Sequence, residues 1–146
     1  MIIDASHKTV ADVCRSVHPD CVVCSCANSR GLQLKFDVLE DKTVRADFQC
    51  DKAFEGYPGI LHGGVISSVL DGAMGNCLFS RGLTAVTVEI KVKFRQAVLL
   101  DRTATVSARV KRQCHPLYLL EAEIVQDGAL KALAEGKFYD QPKFRE

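Results

Sequence analysis

The sequence predicts an α+β fold in which an antiparallel sheet of six strands wraps one long apolar helix. Three observations carry that prediction. Apolar and polar residues alternate with period two in six separate segments, one middle segment switches to helical spacing, and the order is strand, strand, helix, then four strands. Alternation marks strands with one buried face, as in antiparallel sheets. A helix that is apolar around most of its circumference needs cover on nearly every side, and six curled strands supply it.

Taken in order, Val10, Val13, Cys14 and Val17 share a helical face and predict a short helix packed outside the sheet. Leu32, Leu34, Phe36 and Val38, set between Gln33, Lys35 and Asp37, predict the first strand. After the turn Glu40-Asp41-Lys42, Val44, Ala46, Phe48 and Cys50 predict the second. From 63 to about 81, Val65, Ile66, Val69, Leu70, Ala73, Met74, Cys77 and Leu78 carry helical spacing. Val86, Val88, Ile90, Val92 and Phe94 then alternate with Thr87, Glu89, Lys91 and Lys93. Ala104, Val106, Ala108 and Val110 follow, and segments 118–124 and 130–138, joined by Gln126-Asp127-Gly128, complete the sheet. No linker or repeat interrupts the chain, so residues 1–146 read as one domain.

Composition narrows the function classes. With 25% charged and 47% apolar residues the chain is of ordinary globular type. The net charge of +1 is spread along the chain, which argues against nucleic acid or an anionic membrane surface as a partner. No apolar run reaches the ~18 residues of a spanning helix. Met1-Ile2-Ile3-Asp4 lacks the basic-then-apolar pattern of a secretory leader. The seven cysteines are an odd number, and without an export signal they read as reduced thiols of a cytoplasmic protein. His18, Cys21, Cys24 and Cys26 invite a zinc reading, but they crowd into nine residues without a second separated pair. The expectation is therefore no metal. Cys14, Cys50, Cys77 and Cys114 read as core or inert thiols.

The segment Gly56-Tyr57-Pro58-Gly59-Ile60-Leu61-His62-Gly63-Gly64 leads straight into the central helix. Glycines at a helix start let a ligand approach backbone N–H groups that lack intrahelical partners. With the helix dipole behind them, such donors favour a developing negative oxygen. A tight loop-to-helix turn is the plainer use of the same glycines. Asp71 sits inside the apolar helix, where a charge must be paired or face a polar cavity. Gly64 and Asp71 are seven residues apart, on one face but ~10 Å apart along the axis. One helix cannot bring both to a single reacting group. Two antiparallel helices across a two-fold axis can, and the small residues Gly64, Ser68, Gly72 and Gly75 would let them approach.

His62-Gly63-Gly64, an acidic residue nine positions after the histidine, and Ala85-Val86-Thr87-Val88-Glu89 resemble the PaaI-type hotdog thioesterases. Cys21, Cys24, Asn28, Gly31 and Leu32 are similar to a subgroup with an N-terminal Cys-x-x-Cys followed by Asn-x-x-Gly-Leu. The resemblance implies a hotdog fold and hydrolysis of a small or medium acyl-CoA without metal or organic cofactor. It implies that Gly64 N–H polarises the thioester carbonyl and that Asp71 of the partner chain attacks it or activates water. By the same resemblance Thr87 positions the water or the carboxylate, and His62 shapes the loop near the carbonyl. Gly56, Gly63 and Ser68 fall on the substrate side, and the assembly is a homodimer or a tetramer of two dimers. Lys91, Lys93, Arg95, Lys111 and Arg112 read as a solvated face, with coenzyme A phosphates as the functional alternative.

The chain departs from the pattern in three places. Gly56 stands where many relatives carry Asn or Gln, Gly72 where they often carry a second acid, and Ser25 and Ser29 replace the subgroup's Gly and Pro. Two rival functions follow from the same fold: a non-catalytic acyl-CoA-binding module, and a hydratase acting on an enoyl thioester. The hydratase would want a histidine beside the carboxylate, and His62 lies at the loop.

Overall fold

The computed structural model describes residues 10–145. Residues 1–4, where a leader is not expected, lie outside the described residues, as do both ends of the predicted 1–146 domain. Helix α1 spans Val10–Val17, strand β1 Asp37–Val38, β2 Val44–Gln49 and helix α2 Gly63–Phe79. Strands β3 (Ala85–Phe94), β4 (Thr103–Cys114), β5 (Leu117–Gln126) and β6 (Ala129–Asp140) follow. Short 3-10 turns occupy Lys52–Phe54 and Pro142–Arg145. The sheet is antiparallel throughout with strand order β1-β2-β4-β5-β6-β3, so β3 lies at one edge. This is the hotdog arrangement that the alternation predicts.

The inward positions follow the sequence pattern closely. Val44, Ala46 and Phe48 of β2, Ala104, Val106 and Ala108 of β4, and Tyr118, Leu120, Ala122 and Ile124 of β5 are buried against α2. From the helix, Val69, Leu70, Ala73 and Met74 are wholly buried in the same core. Each large aliphatic side chain so buried contributes roughly 1.5–3 kcal/mol. Alanines and Gly136 on the sheet make room for the helix; a Cβ on Gly136 would lie 2.9 Å from the Met74 sulfur. Helix α1 packs outside as expected, with Val10 and Val13 against Phe79 at the end of α2.

Three expectations are corrected. The first strand shrinks to Asp37–Val38. Leu34 is buried, but Leu32 and Leu34 donate their N–H groups to the carbonyls of Val22 and Val23, both at 2.8 Å. The apolar alternation is real; the cysteine-rich loop, not a strand, takes these hydrogen bonds. In β6 a register shift near its start turns Lys131 inward and leaves Leu130 at 38% exposure. In β3 a bulge between Thr87 and Glu89 breaks the Val86–Phe94 alternation, so Val88 is 55% exposed while Ile90 and Val92 pack on the core.

The central helix is also less enclosed than its sequence suggests. The sheet covers one side, and α1 with the 18–34 loop covers its C-terminal end. Gly64 is exposed, while Ser68, Asp71 and Gly75 are half-buried, forming an open stripe along the remaining side. No helix is long and apolar enough to cross a membrane among the described residues.

Candidate active site

The start of α2 is held by hydrogen bonds that straighten the loop before it. His62 donates its N–H to Phe54 O at 2.9 Å, and Leu61 donates to Val98 O at 2.9 Å. The facing segment is fixed in turn by buried Gln126. Its amide oxygen accepts from Leu99 N–H at 2.8 Å and its amide nitrogen donates to Leu99 O at 2.9 Å. The sequence assigns Gln126 to the turn Gln126-Asp127-Gly128, whereas it is the buried last residue of β5. The signal was there: it occupies the next inward position after Leu120, Ala122 and Ile124, where an apolar residue would be expected.

His62 is the N-cap of α2. Its extended backbone directs Nδ1 at Gly64 N–H, which donates to it at 2.8 Å. The sequence reading left this N–H without a partner, and the structure gives it one. A Cβ on Gly64 would lie 3.0 Å from that ring nitrogen, so the cap needs a glycine. Because Nδ1 accepts, the neutral ring carries its proton on Nε2, which is then a donor. The N–H groups of Gly63 and Val65, in the same first turn, have no intrahelical acceptor.

Beside this turn lies a cleft of about 820 Å³. Gly56, His62, Gly63, Ile66, Phe94 and Arg95 are among the residues that line it. Gly56 packs on His62, and a Cβ there would lie 3.1 Å from His62 Cα. Of the basic residues singled out from the sequence, Arg95 is the one on this cleft. Phe94, at 56% exposure, is a cleft residue that alternation alone assigned to the core.

Asp71 lies two turns further along α2, on the open stripe. Its Oδ1 accepts a hydrogen bond from Thr87 Oγ1 at 2.6 Å. The β3 bulge accounts for this pairing. Bulges re-aim side chains, and here the parity change after Thr87 puts Ala85 and Thr87 on the same side as Ile90 and Val92, toward α2. The nearby helix hydroxyls of Ser67 and Ser68 do not pair with Asp71 but donate to Gly63 O at 3.0 Å and Gly64 O at 2.9 Å. Gly72 does not belong to the open stripe. A Cβ there would lie 2.4 Å from a Val23 methyl of the same chain, whereas one on Gly75 would meet nothing within 4 Å.

One chain thus presents two polar features on one helix: a histidine-capped first turn beside a cleft, and a threonine-held carboxylate further along. The fold and this arrangement define a class, and the sequence profile of the thioesterase superfamily matches residues 58–131, a stretch holding His62, Gly64, Asp71 and Thr87. The chain belongs to that superfamily. Among curated relatives, mouse acyl-coenzyme A thioesterase THEM4 is 27% identical over 77 residues, covering 53% of this chain and 33% of the relative. The chain spans between 31% and 41% of the length of the THEM4 proteins it matches in mouse, rat and cattle. Among solved structures, the Escherichia coli PaaI protein superimposes with TM-score 0.69 at 23% identity, covering 74% of this chain and 83% of its own. A hypothetical thioesterase of Streptococcus pneumoniae, solved with coenzyme A, gives 0.70 at 20% identity, covering 74% and 88%. Alanine variants of that streptococcal protein, one at an aspartate and one at a threonine, have also been solved. At these identities the likeness is one of fold.

Proposed function

We propose that this chain hydrolyses a small or medium acyl-CoA thioester, with Asp71 as the catalytic carboxylate. The observation that carries the reading is the Thr87 hydroxyl on Asp71 at 2.6 Å, on an open face of the central helix. Thr87 occupies one carboxylate oxygen and fixes its plane, leaving the other oxygen to act. The mutated aspartate and threonine of the streptococcal thioesterase are spaced as Asp71 and Thr87 are, 16 residues apart. Curated relatives named as acyl-coenzyme A thioesterases support the same class.

The chemistry follows from the groups available. The thioester carbonyl takes a hydrogen bond from the first turn of α2, through Gly64 N–H once the His62 ring moves off it. Asp71 either removes a proton from attacking water or adds to the carbonyl carbon itself. In the second case the coenzyme A thiolate leaves, is protonated, and water then hydrolyses the acyl-enzyme anhydride. Gly56 and Gly63 border the acyl or pantetheine arm, and Ser68 lies between the two half-sites. General base catalysis contributes ~10²–10⁴ in rate, and an oxyanion donor ~10²–10³.

The two half-sites are ~10 Å apart within one chain, so the working site is formed between two copies. Antiparallel α2 helices across a two-fold axis would set Gly64 of one chain against Asp71 of the partner subunit. The open stripe of α2 and the edge position of β3, with Val88 and Phe94 exposed, support such a dimer.

The test is thiol release from a panel of acyl-CoAs by wild type and Asp71→Asn. The expected outcome is turnover of at least one member, reduced at least ~100-fold in the variant. Undiminished turnover in Asp71→Asn would remove Asp71 from the mechanism. A second reading draws on the His62 cap, which already engages Gly64 N–H: the chain binds acyl-CoA without cleaving it. Stoichiometric acyl-CoA binding with no thiol released by wild type would establish that reading instead.

A further inference from the structure

We propose that Cys14, His18, Cys21 and Cys24 bind one structural zinc ion, which clamps the 18–34 loop onto α2. His18 Nδ1 or Nε2, Cys21 Sγ and Cys24 Sγ converge within 4.8 Å of one another. Within this group Cys24 Sγ lies 3.6 Å from His18 Nδ1. Cys14 supplies the fourth donor, its Sγ 3.0 Å from Cys24 Sγ. Zinc bonds of ~2.3 Å to sulfur and ~2.0–2.1 Å to nitrogen place tetrahedral ligand atoms about 3.5–3.8 Å apart. His18, Cys21 and Cys24 are thus close to the spacing of a tetrahedral set, and Cys14 Sγ would swing away from Cys24 Sγ to complete it; all three cysteines are free thiols.

This departs from the sequence expectation of no metal, and the reason is visible. That expectation counted Cys26 and found no second pair. The fold uses Cys14 instead: His18 N–H donates to Cys14 O at 2.8 Å, continuing the last turn of α1. Cys14 and His18 are thus neighbours at i, i+4. With Cys21 and Cys24 they make two short-spaced pairs, Cys-x3-His and Cys-x2-Cys, whose spacings are of the short kind found in structural zinc sites. Cys26 is exposed.

The surrounding groups are arranged to hold sulfur ligands. Val23 N–H donates to Cys21 Sγ at 3.3 Å. Buried Asn76, one turn before Ser80 on α2, is held by its amide nitrogen donating to Gly72 O at 2.9 Å. The His18 ring meets Phe79 edge-on, 4.9 Å between centroids, which limits its rotation. Such outer contacts orient ligands and tune them for the ion. A divalent cation binds such ligands as thiolates and releases their protons. Three sulfurs and one imidazole suit zinc rather than magnesium or calcium.

The loop so clamped presses Val23 onto Gly72, the residue next to Asp71. The ion would therefore buttress the helix at Gly72, whatever reaction the protein performs.

The experiment measures metal in the full chain purified under reducing conditions, followed by cobalt(II) exchange. The expected result is one equivalent of zinc per chain and the intense visible absorption of tetrahedral cobalt thiolate. Cys26→Ser should retain both, and Cys21→Ser with Cys24→Ser should lose both. Chelation of the wild-type protein should lower its Tm. Metal-free wild type that gives no cobalt spectrum overturns the proposal, as does a Cys14–Cys24 disulfide in that preparation by mass spectrometry. The wild-type measurement decides the matter even if the double variant fails to fold.

Discussion

Asp71 and Thr87 are 16 residues apart in the chain, yet their side chains meet at 2.6 Å. A hydrogen bond to a charged group is worth ~1.5–3 kcal/mol. If Thr87 orients the carboxylate for reaction, Thr87→Val keeps the branched shape and loses the hydroxyl. The expected result is a kcat lowered about 10- to 100-fold with little change in KM, and substantial recovery in Thr87→Ser. Steady-state kinetics on the best acyl-CoA checks this; a fully active valine variant would relegate Thr87 to strand packing. At the same scale, His62 shows how one residue type serves two readings. Its position before two glycines suggested substrate chemistry, and its ring is an N-cap as well. Nothing in the sequence separates the two, because histidine is not a common cap and the choice is made by the loop backbone.

Among elements, the 18–34 loop and the β3 bulge decide more than their length suggests. The loop takes the backbone hydrogen bonds of Leu32 and Leu34 and lays Val23 on Gly72. Gly72→Ala would drive its new methyl into the stiff, branched Val23 side chain, 2.4 Å away. Overpacking of this kind costs about 1–3 kcal/mol. Chemical denaturation should show the loss, and an unchanged midpoint would mean that the loop yields freely. The bulge in β3 was hidden from the alternation because Val86, Val88 and Ile90 satisfy a regular period by residue type. A one-residue shift in parity leaves composition unchanged while moving Thr87 to the helix side. Helix α2 itself was legible nearly to the residue, since apolar spacing and the flanking glycines mark both its type and its start.

For the molecule as a whole, the open stripe of α2 is the feature that a single chain leaves unexplained. Gly75 has no neighbour within 4 Å of a would-be Cβ, so Gly75→Arg fits the isolated chain and even favours the helix. In an antiparallel pair of helices the same side chain would force the copies apart. Sedimentation equilibrium should therefore find wild type dimeric or larger and the variant monomeric and folded, with thioesterase turnover lost. A monomeric wild type with full turnover would defeat the two-chain site.

By itself the sequence determined the order of strands and helix, the buried faces of β2, β4 and β5, and where the apolar helix with its lone carboxylate lies. Period and residue type are local properties, and they set these features directly. It also carried the family through His62, Gly63, Gly64, Asp71 and their spacing. Only the tertiary structure decided that Thr87 reaches Asp71, that Gln126 holds the Leu99 segment facing the loop before the helix, and that Cys14 meets Cys24 beside His18 and Cys21. Each of these depends on strand register or on a loop folding back across the helix. Such contacts form between distant segments through packing of the entire core, and no local pattern records them.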